Sequence, residues 1–259
     1  MKIYFKNLFR KNYNLDELLL ERKKKLSDNI YRIFKGKVAF GKYKDTKISK
    51  KEHWSYDMAS KILGLYESQV QEKITDIQSK KKLKILVNFG AGEGYHLTGL
   101  LKKKIFEKGY AFESNEYTKR ILDHNIKINK LKKKTFTFAK SNFEILSKLI
   151  KPSLKKKVLF LIDIEGEEFD LIIKKNLKHF QDSHLIIENH NFLKNKKKVN
   201  NFLSFLKKNF KIKIIENSSR NPFIFKKLKI MKDDDRWLLM SEGRPCQMSW
   251  ILCTPKLNS

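Results

Sequence analysis

The sequence predicts a doubly wound α/β protein built on a mostly parallel sheet. Three observations carry that prediction. Apolar runs of strand length alternate with segments of helical period along most of the chain. One such run, Lys84 to Phe89, breaks into Gly90-Ala91-Gly92-Glu93-Gly94 just before a helical pattern. Two later runs, Val158 to Ile164 and Leu185 to Glu188, are apolar until they end in carboxylates, as expected of strands buried on both faces.

The elements follow in order. Leu15, Leu18, Leu19, Leu26, Ile30 and Ile33 supply one side of an amphipathic helix over residues 14 to 35, which Gly36 and Gly41 break. Residues 42 to 53 are polar and lysine-rich and predict an irregular connection. Met58, Ile62, Tyr66, Val70, Ile74 and Ile77 step by three or four, which predicts a second helix ended by Ser79 to Lys82. After the glycine-bearing strand come a strand at Tyr110 to Glu113, a helix over 116 to 130 and a strand at Thr135 to Ala139. The apolar strands at 158 and 185 precede a helix from Val199 to Phe210. Lys211 to Ile215 and Trp250 to Cys253 close the chain as strands, read as an antiparallel C-terminal edge hairpin. Repeated βα units predict parallel pairing for the rest. An N-terminal helical extension at 1–56 is expected before a single domain at 57–259, with no internal repeat.

Composition bounds the function less tightly. The chain has 259 residues, 41% of them hydrophobic, with 19 Phe, enough for a sizeable core. No apolar run approaches the roughly 20 residues that span a bilayer. The basic N-terminus lacks the apolar stretch of a secretory signal. Cys246 and Cys253 match no metal or redox spacing, so a reduced, cytoplasmic protein is expected. The net charge of +30 raises nucleic acid or an anionic membrane as partner. Only seven of the 58 basic residues are arginine, leaving 51 lysines. Arginine is the residue suited to bidentate phosphate recognition, and the mixture of Lys, Asn and Ile is what an A/T-rich genome yields. Charge alone does not decide the partner.

The glycine turn is the first chemical signal. Glycine takes backbone angles that a Cβ forbids, and a strand–turn–helix of this kind holds nucleotide-like cofactors. The dinucleotide fingerprint needs its third glycine one residue after Gly94, where Tyr95 stands. The tighter spacing points to S-adenosylmethionine (SAM) and away from NAD. Asn88, Gly90, Ala91 and Gly92 are expected at the cofactor, although Asn88 brings no charge where many SAM sites carry Asp or Glu. Glu113 ends the second strand, where a carboxylate accepts hydrogen bonds from ribose hydroxyls.

The fourth strand runs out into Asp163-Ile164-Glu165-Gly166-Glu167-Glu168. Asp163 and Glu165 are two apart, so in extended geometry their side chains leave one face. Asp163 is also expected beside the cofactor. Glu167 and Glu168 fall in the first turn of the next helix, favourable to its dipole. The fifth strand ends in Glu188-Asn189-His190, and two roles stay open there. His190, with Asp163 and Glu188, takes the proton of an acceptor hydroxyl. Alternatively Asp163, Glu165, Glu188 and His190 gather a divalent cation that lowers that hydroxyl's pKa.

The glycine turn with Glu113, then Asp163-x-Glu165-Gly166-x-Glu168, then Ile187-Glu188, resembles the FkbM-type SAM-dependent methyltransferases. The Asp-x-Glu-Gly-x-Glu element is the more specific part. Lys61 to Glu67 is similar to a segment preceding the domain in some members. The resemblance covers roughly residues 57 to 190. It implies a class I methyltransferase, Rossmann-like fold and O-methylation of a hydroxyl, often on a sugar or a secondary metabolite. By that match Gly90, Gly92 and Glu113 contact SAM, with Asn142 at the adenine edge. Trp54-Ser55-Tyr56 and Gly64-Leu65-Tyr66-Glu67 are candidates to fold over the cofactor. Arg244 is a candidate for meeting an anionic acceptor or for a salt bridge within its loop. The expected activity is O-methylation of a glycan (polysaccharide) or related small hydroxylated acceptor. A nucleic-acid methyltransferase and a non-catalytic Rossmann-like binding protein are the alternatives.

Overall fold

The computed structural model describes residues 14–50, 57–140 and 143–256. Three helices precede the sheet: α1 (Leu15–Ile33), α2 (Met58–Leu63) and α3 (Ser68–Lys81). Asn14 caps α1 by accepting a hydrogen bond from the Asp16 N–H at 3.1 Å. The single helix predicted from Met58 onward is two, because Gly64 takes the left-handed conformation that ends α2 and Glu67 takes φ 47° before α3.

The alternating part follows as β1 (Ile85–Phe89), α4 (Tyr95–Lys102), β2 (Lys108–Phe112), α5 (Glu116–Ile128), β3 (Thr135–Phe138), α6 (Phe143–Leu149) and β4 (Val158–Ile162). Then come α7 (Glu168–Leu171), β5 (His184–Glu188), α8 (Lys196–Asn209), β6 (Phe210–Glu216), α9 (Asp233–Met240) and β7 (Ser249–Pro255). Asn115 and Asn195 cap α5 and α8, so each of these helices starts where its sequence supplies a side-chain acceptor.

The seven strands lie in the order β3-β2-β1-β4-β5-β7-β6. The first five pair in parallel. The antiparallel hairpin at the edge is present with one difference: β7 inserts between β5 and β6, antiparallel to both. Burial explains that order. Trp250 to Cys253 are buried throughout, whereas β6 exposes Lys211 and Lys213 and takes the edge.

Alternate residues of each strand enter two cores. Leu86, Ala111, Leu161, Ile186 and Trp250 pack under α1 to α5 and α9, while Val87, Phe112, Phe160, Ile187 and Ile251 pack under α6 to α8. The α1 helix of the expected extension contributes Leu26 and Ile30 to the first core and is tied to α9 by Arg22 and Asp235. No helix among the described residues is long and apolar enough to cross a membrane.

Register positions the site. Phe89 is level with Phe112 and with Ile162, and Ile162 is level with Ile187. The next residue of each strand is therefore Gly90, Glu113, Asp163 and Glu188. One row at the carboxyl edge of the sheet collects all four.

Candidate active site

The glycine turn is wedged against the exit of β4. A Cβ on Gly90 would stand 1.6 Å from the Asp163 carbonyl oxygen, and φ there is +68°. Both the Gly90 and Ala91 N–H groups donate to the Phe112 carbonyl at 3.0 Å. The Gly92 N–H donates to Glu113 Oε2 at 2.9 Å, and the Asn115 N–H to Oε1 at 2.8 Å. Glu113 is thus oriented by two main-chain donors and keeps a further lone pair on each oxygen for a ribose hydroxyl. Gly92, at φ +54°, faces open space, with no atom within 4 Å of a notional Cβ. Asn88 is buried in β1, its Nδ2 3.4 Å from the Leu161 carbonyl. Asn142 and Trp54-Ser55-Tyr56 lie outside the described residues.

Asp163, Glu165, Glu188 and His190 meet, but by a different route from strand alternation. The strand ends at Ile162, and Glu165 (φ 52°) with Gly166 (φ 92°) turns the chain back. His190, its side chain 2% exposed, sits at the centre. Its Nδ1 lies 3.2 Å from Glu168 Oε1, and the fully buried Glu168 also accepts the N–H groups of Gly166 and His190. Its Nε2 stands 3.4 Å from Glu165 Oε2, 3.6 Å from Glu188 Oε2 and 3.7 Å from Asp163 Oδ1. Donor atoms of Asp163, Glu165 and His190 all lie within 4.8 Å of one another. Glu168, the last carboxylate of the Asp-x-Glu-Gly-x-Glu element, fixes the imidazole from the first turn of α7.

Electrostatics follows from this crowding. Burial and the neighbouring Glu188 hold the Asp163 carboxyl well above its ordinary range. Burial and Glu67 likewise raise Glu188, against the opposing pull of Arg244. For His190, burial alone would lower the pKa; the Glu168 hydrogen bond and the charges of Glu188, Glu168 and Glu165 outweigh it and raise it. The imidazole and the two carboxylates are thus coupled groups, each of whose affinities for a proton depends on the charge of its neighbours.

The fold can be placed beside known structures. A candidate O-methyltransferase from Klebsiella pneumoniae superposes with a TM-score of 0.52 at 8% identity, over 98% of this chain and 95% of that one. The O-methyltransferase TomG from Streptomyces achromogenes, solved in complex with SAM, gives 0.50 at 9% identity over 98% and 95%. This is the class I methyltransferase fold. No protein-family model and no curated protein matches the sequence.

Within that fold, Arg244 takes a place other than a free anion receptor. Its Nη1 bonds to Glu188 Oε1, its Nη2 to Glu67 Oε1 and its Nε to Glu242 Oε2 at 2.9 Å. Glu242 in turn is held by Arg220 and by the Glu67 N–H. Glu67 Oε2 meets His96 Nε2 at 2.8 Å, and His96 Nδ1 meets the Tyr43 hydroxyl at 2.9 Å. Beside this, Lys61 pairs with Asp57 and with Glu93 of the glycine turn itself. Tyr66 packs on Lys61 and edge-on to Tyr95. Sequence reasoning missed Glu93, His96 and Glu242; the one signal was charged residues standing among apolar helix positions or inside the turn. A groove of about 450 Å³ between α7 and α8 is lined by Phe169, Ile172, Phe202 and Phe205, with none of the site carboxylates. Convergence of groups, rather than cavity size, marks the site.

Proposed function

We propose that this chain is a SAM-dependent O-methyltransferase of FkbM type, acting on a hydroxyl of a glycan or related small hydroxylated acceptor. The observation that carries the proposal is the single row Gly90, Glu113, Asp163, Glu188 at the carboxyl edge of a class I methyltransferase fold. The residues fit the cofactor: Gly92 leaves open space beside the main chain, and Glu113 is oriented with acceptor capacity to spare. Gly90, Ala91, Gly92 and Glu113 hold it, with Asn88 and Asp163 beside its methionine end. SAM supplies an electrophilic methyl group on a sulfonium. The chain's own residues orient the acceptor and take its proton. Asp163 or Glu188 would receive the single proton of that hydroxyl, and SAM, when bound, would supply the methyl group and keep the electron pair of the broken carbon–sulfur bond.

The acceptor is argued from charge. Asp163, Glu165 and Glu188 ring the transfer point, and Arg244 is already engaged by three carboxylates. A phosphate-bearing acceptor finds no free guanidinium there despite the overall +30, because Arg244 is committed to carboxylates, which favours a neutral sugar over nucleic acid. The test combines labelled SAM with a panel of glycans and RNA. Transfer to glycan that persists at high salt is expected, with Asp163→Asn lowering kcat at least tenfold and leaving S-adenosylhomocysteine affinity within a few-fold. Transfer confined to RNA, or no rise in Tm with S-adenosylhomocysteine, would overturn the proposal.

A further inference from the structure

We infer that the end of β4 and the residue after β5 form a divalent-cation site, with Asp163, Glu165 and His190 as ligands and Glu168 as the residue that orients the imidazole. Two independent features point to a ligand there. His190 is almost wholly buried, yet its Nε2 stands 3.4–3.7 Å from three carboxylate oxygens, too far for a hydrogen bond to any of them. Asp163 Oδ1 is buried and receives no hydrogen bond from an N–H or neutral O–H donor among the described residues, while its carboxyl is drawn up against that of Glu188. Donor atoms of Asp163, Glu165 and His190 lie within 4.8 Å of one another.

The spacing suits an ion. Donors roughly 2.1 Å from a common metal, at right angles, stand about 3 Å apart, so small side-chain shifts bring these three onto one. The imidazole is prepared as well. Glu168 Oε1 engages Nδ1 at 3.2 Å and Glu168 Oε2 accepts the Gly166 N–H at 2.9 Å, so the carboxylate that fixes the tautomer is itself fixed. With Nδ1 carrying the proton, the Nε2 lone pair is directed at Asp163 and Glu165. Two carboxylates and one imidazole suit Mn²⁺ or Mg²⁺ more than a thiophilic metal. Glu188 stays outside the ligand set because Arg244 holds one of its oxygens, which leaves its other oxygen to take a proton.

The purpose of the ion rests on the methyl-transfer proposal: it draws in the acceptor oxygen and lowers the hydroxyl's pKa, the proton passing to Glu188. The binding test does not depend on that purpose. Chelator-treated full-length protein is titrated with Mn²⁺ alone and followed by electron paramagnetic resonance. One Mn²⁺ per chain is expected, weakened at least tenfold in Glu165→Gln and ten- to a hundredfold in Glu168→Gln. Glu165 is 69% exposed at its side chain, so its variant tests ligation without threatening the fold. ¹⁵N-histidine labelling should give an electron-spin-echo coupling from a bound ring nitrogen that His190→Gln lacks. Absence of binding at millimolar Mn²⁺, or binding unchanged in Glu165→Gln and Glu168→Gln, would overturn the cation site. Methyl transfer that survives chelation would leave the methyltransferase proposal standing alone, whereas Mn²⁺ binding without a response to S-adenosylhomocysteine would do the reverse.

Discussion

Gly90 and Gly92 stand two residues apart and are needed for different reasons. A Cβ at Gly90 runs into the Asp163 carbonyl at 1.6 Å, so the turn and the exit of β4 would have to separate. Gly90→Ala is expected to cost more than about 3 kcal/mol, read as a large fall in Tm, because backbone meets backbone with no side chain to yield. A Cβ at Gly92 meets nothing within 4 Å. Gly92→Ala should therefore cost only the left-handed penalty of about 1–2 kcal/mol while lowering S-adenosylhomocysteine affinity at least tenfold, measured by calorimetry. Equal losses of Tm in the two variants would contradict that division. The glycine spacing was legible in the sequence, and so were Glu113, Asp163, Glu188 and His190, since each follows an apolar strand. The way Glu165 reaches His190 was not. Strand alternation predicts their meeting only if the strand continues, whereas a left-handed residue followed by glycine makes it by turning the chain.

At the level of elements, the loop before β7 and the α2–α3 corner act as one clamp on β5. Arg244 spans Glu67, Glu188 and Glu242, and Glu67 stands in a left-handed conformation with its side chain 1% exposed. His96 and Arg244 overcome burial and hold the Glu67 carboxyl below its usual range; Glu242 also has Arg220, so Glu188 is the carboxylate that leans most on the shared guanidinium. Arg244→Met should destabilise by about 3–5 kcal/mol in urea unfolding, because it leaves buried charge without compensation. Arg244→Lys should recover only part of this, since an ammonium cannot offer the planar fork that meets three carboxylates. Full stability in Arg244→Lys would show that charge alone suffices. Helix periodicity located α2 and α3 but merged them, as Gly64 fits the periodic pattern and only its backbone angle breaks it. The loop carrying Arg244 reads as polar surface because a buried ion network has the same composition as a solvated one. The insertion of β7 between β5 and β6 was equally hidden: the two closing strands are compatible with either order, and the wholly buried run at Trp250 is what decides it.

Across the whole molecule, stability also depends on a buried titratable group far from the acidic sheet edge. His184 begins β5, at the edge opposite the site, 6% exposed and with neither ring nitrogen hydrogen-bonded among the described residues. Burial, with a smaller contribution from Lys81, lowers its pKa to about 4 from an ordinary 6.5. Between these values the unfolded chain binds the proton and the folded chain does not. Stability therefore falls as pH drops through 6.5, and the loss is complete below about 4. Asp163 and Glu188, whose pKa values are raised, act in the opposite direction over part of that range, and the crowded lysines repel one another throughout. The bulk pH profile mixes all of these, so the comparison that isolates His184 is between the native chain and His184→Leu. The native chain should lose about 2 kcal/mol more than the variant between pH 7 and pH 4.5, in urea unfolding at fixed ionic strength. Parallel pH profiles would mean that His184 gains a proton or a partner in the folded state. A variant that loses more than the native chain would place its folded pKa above 6.5.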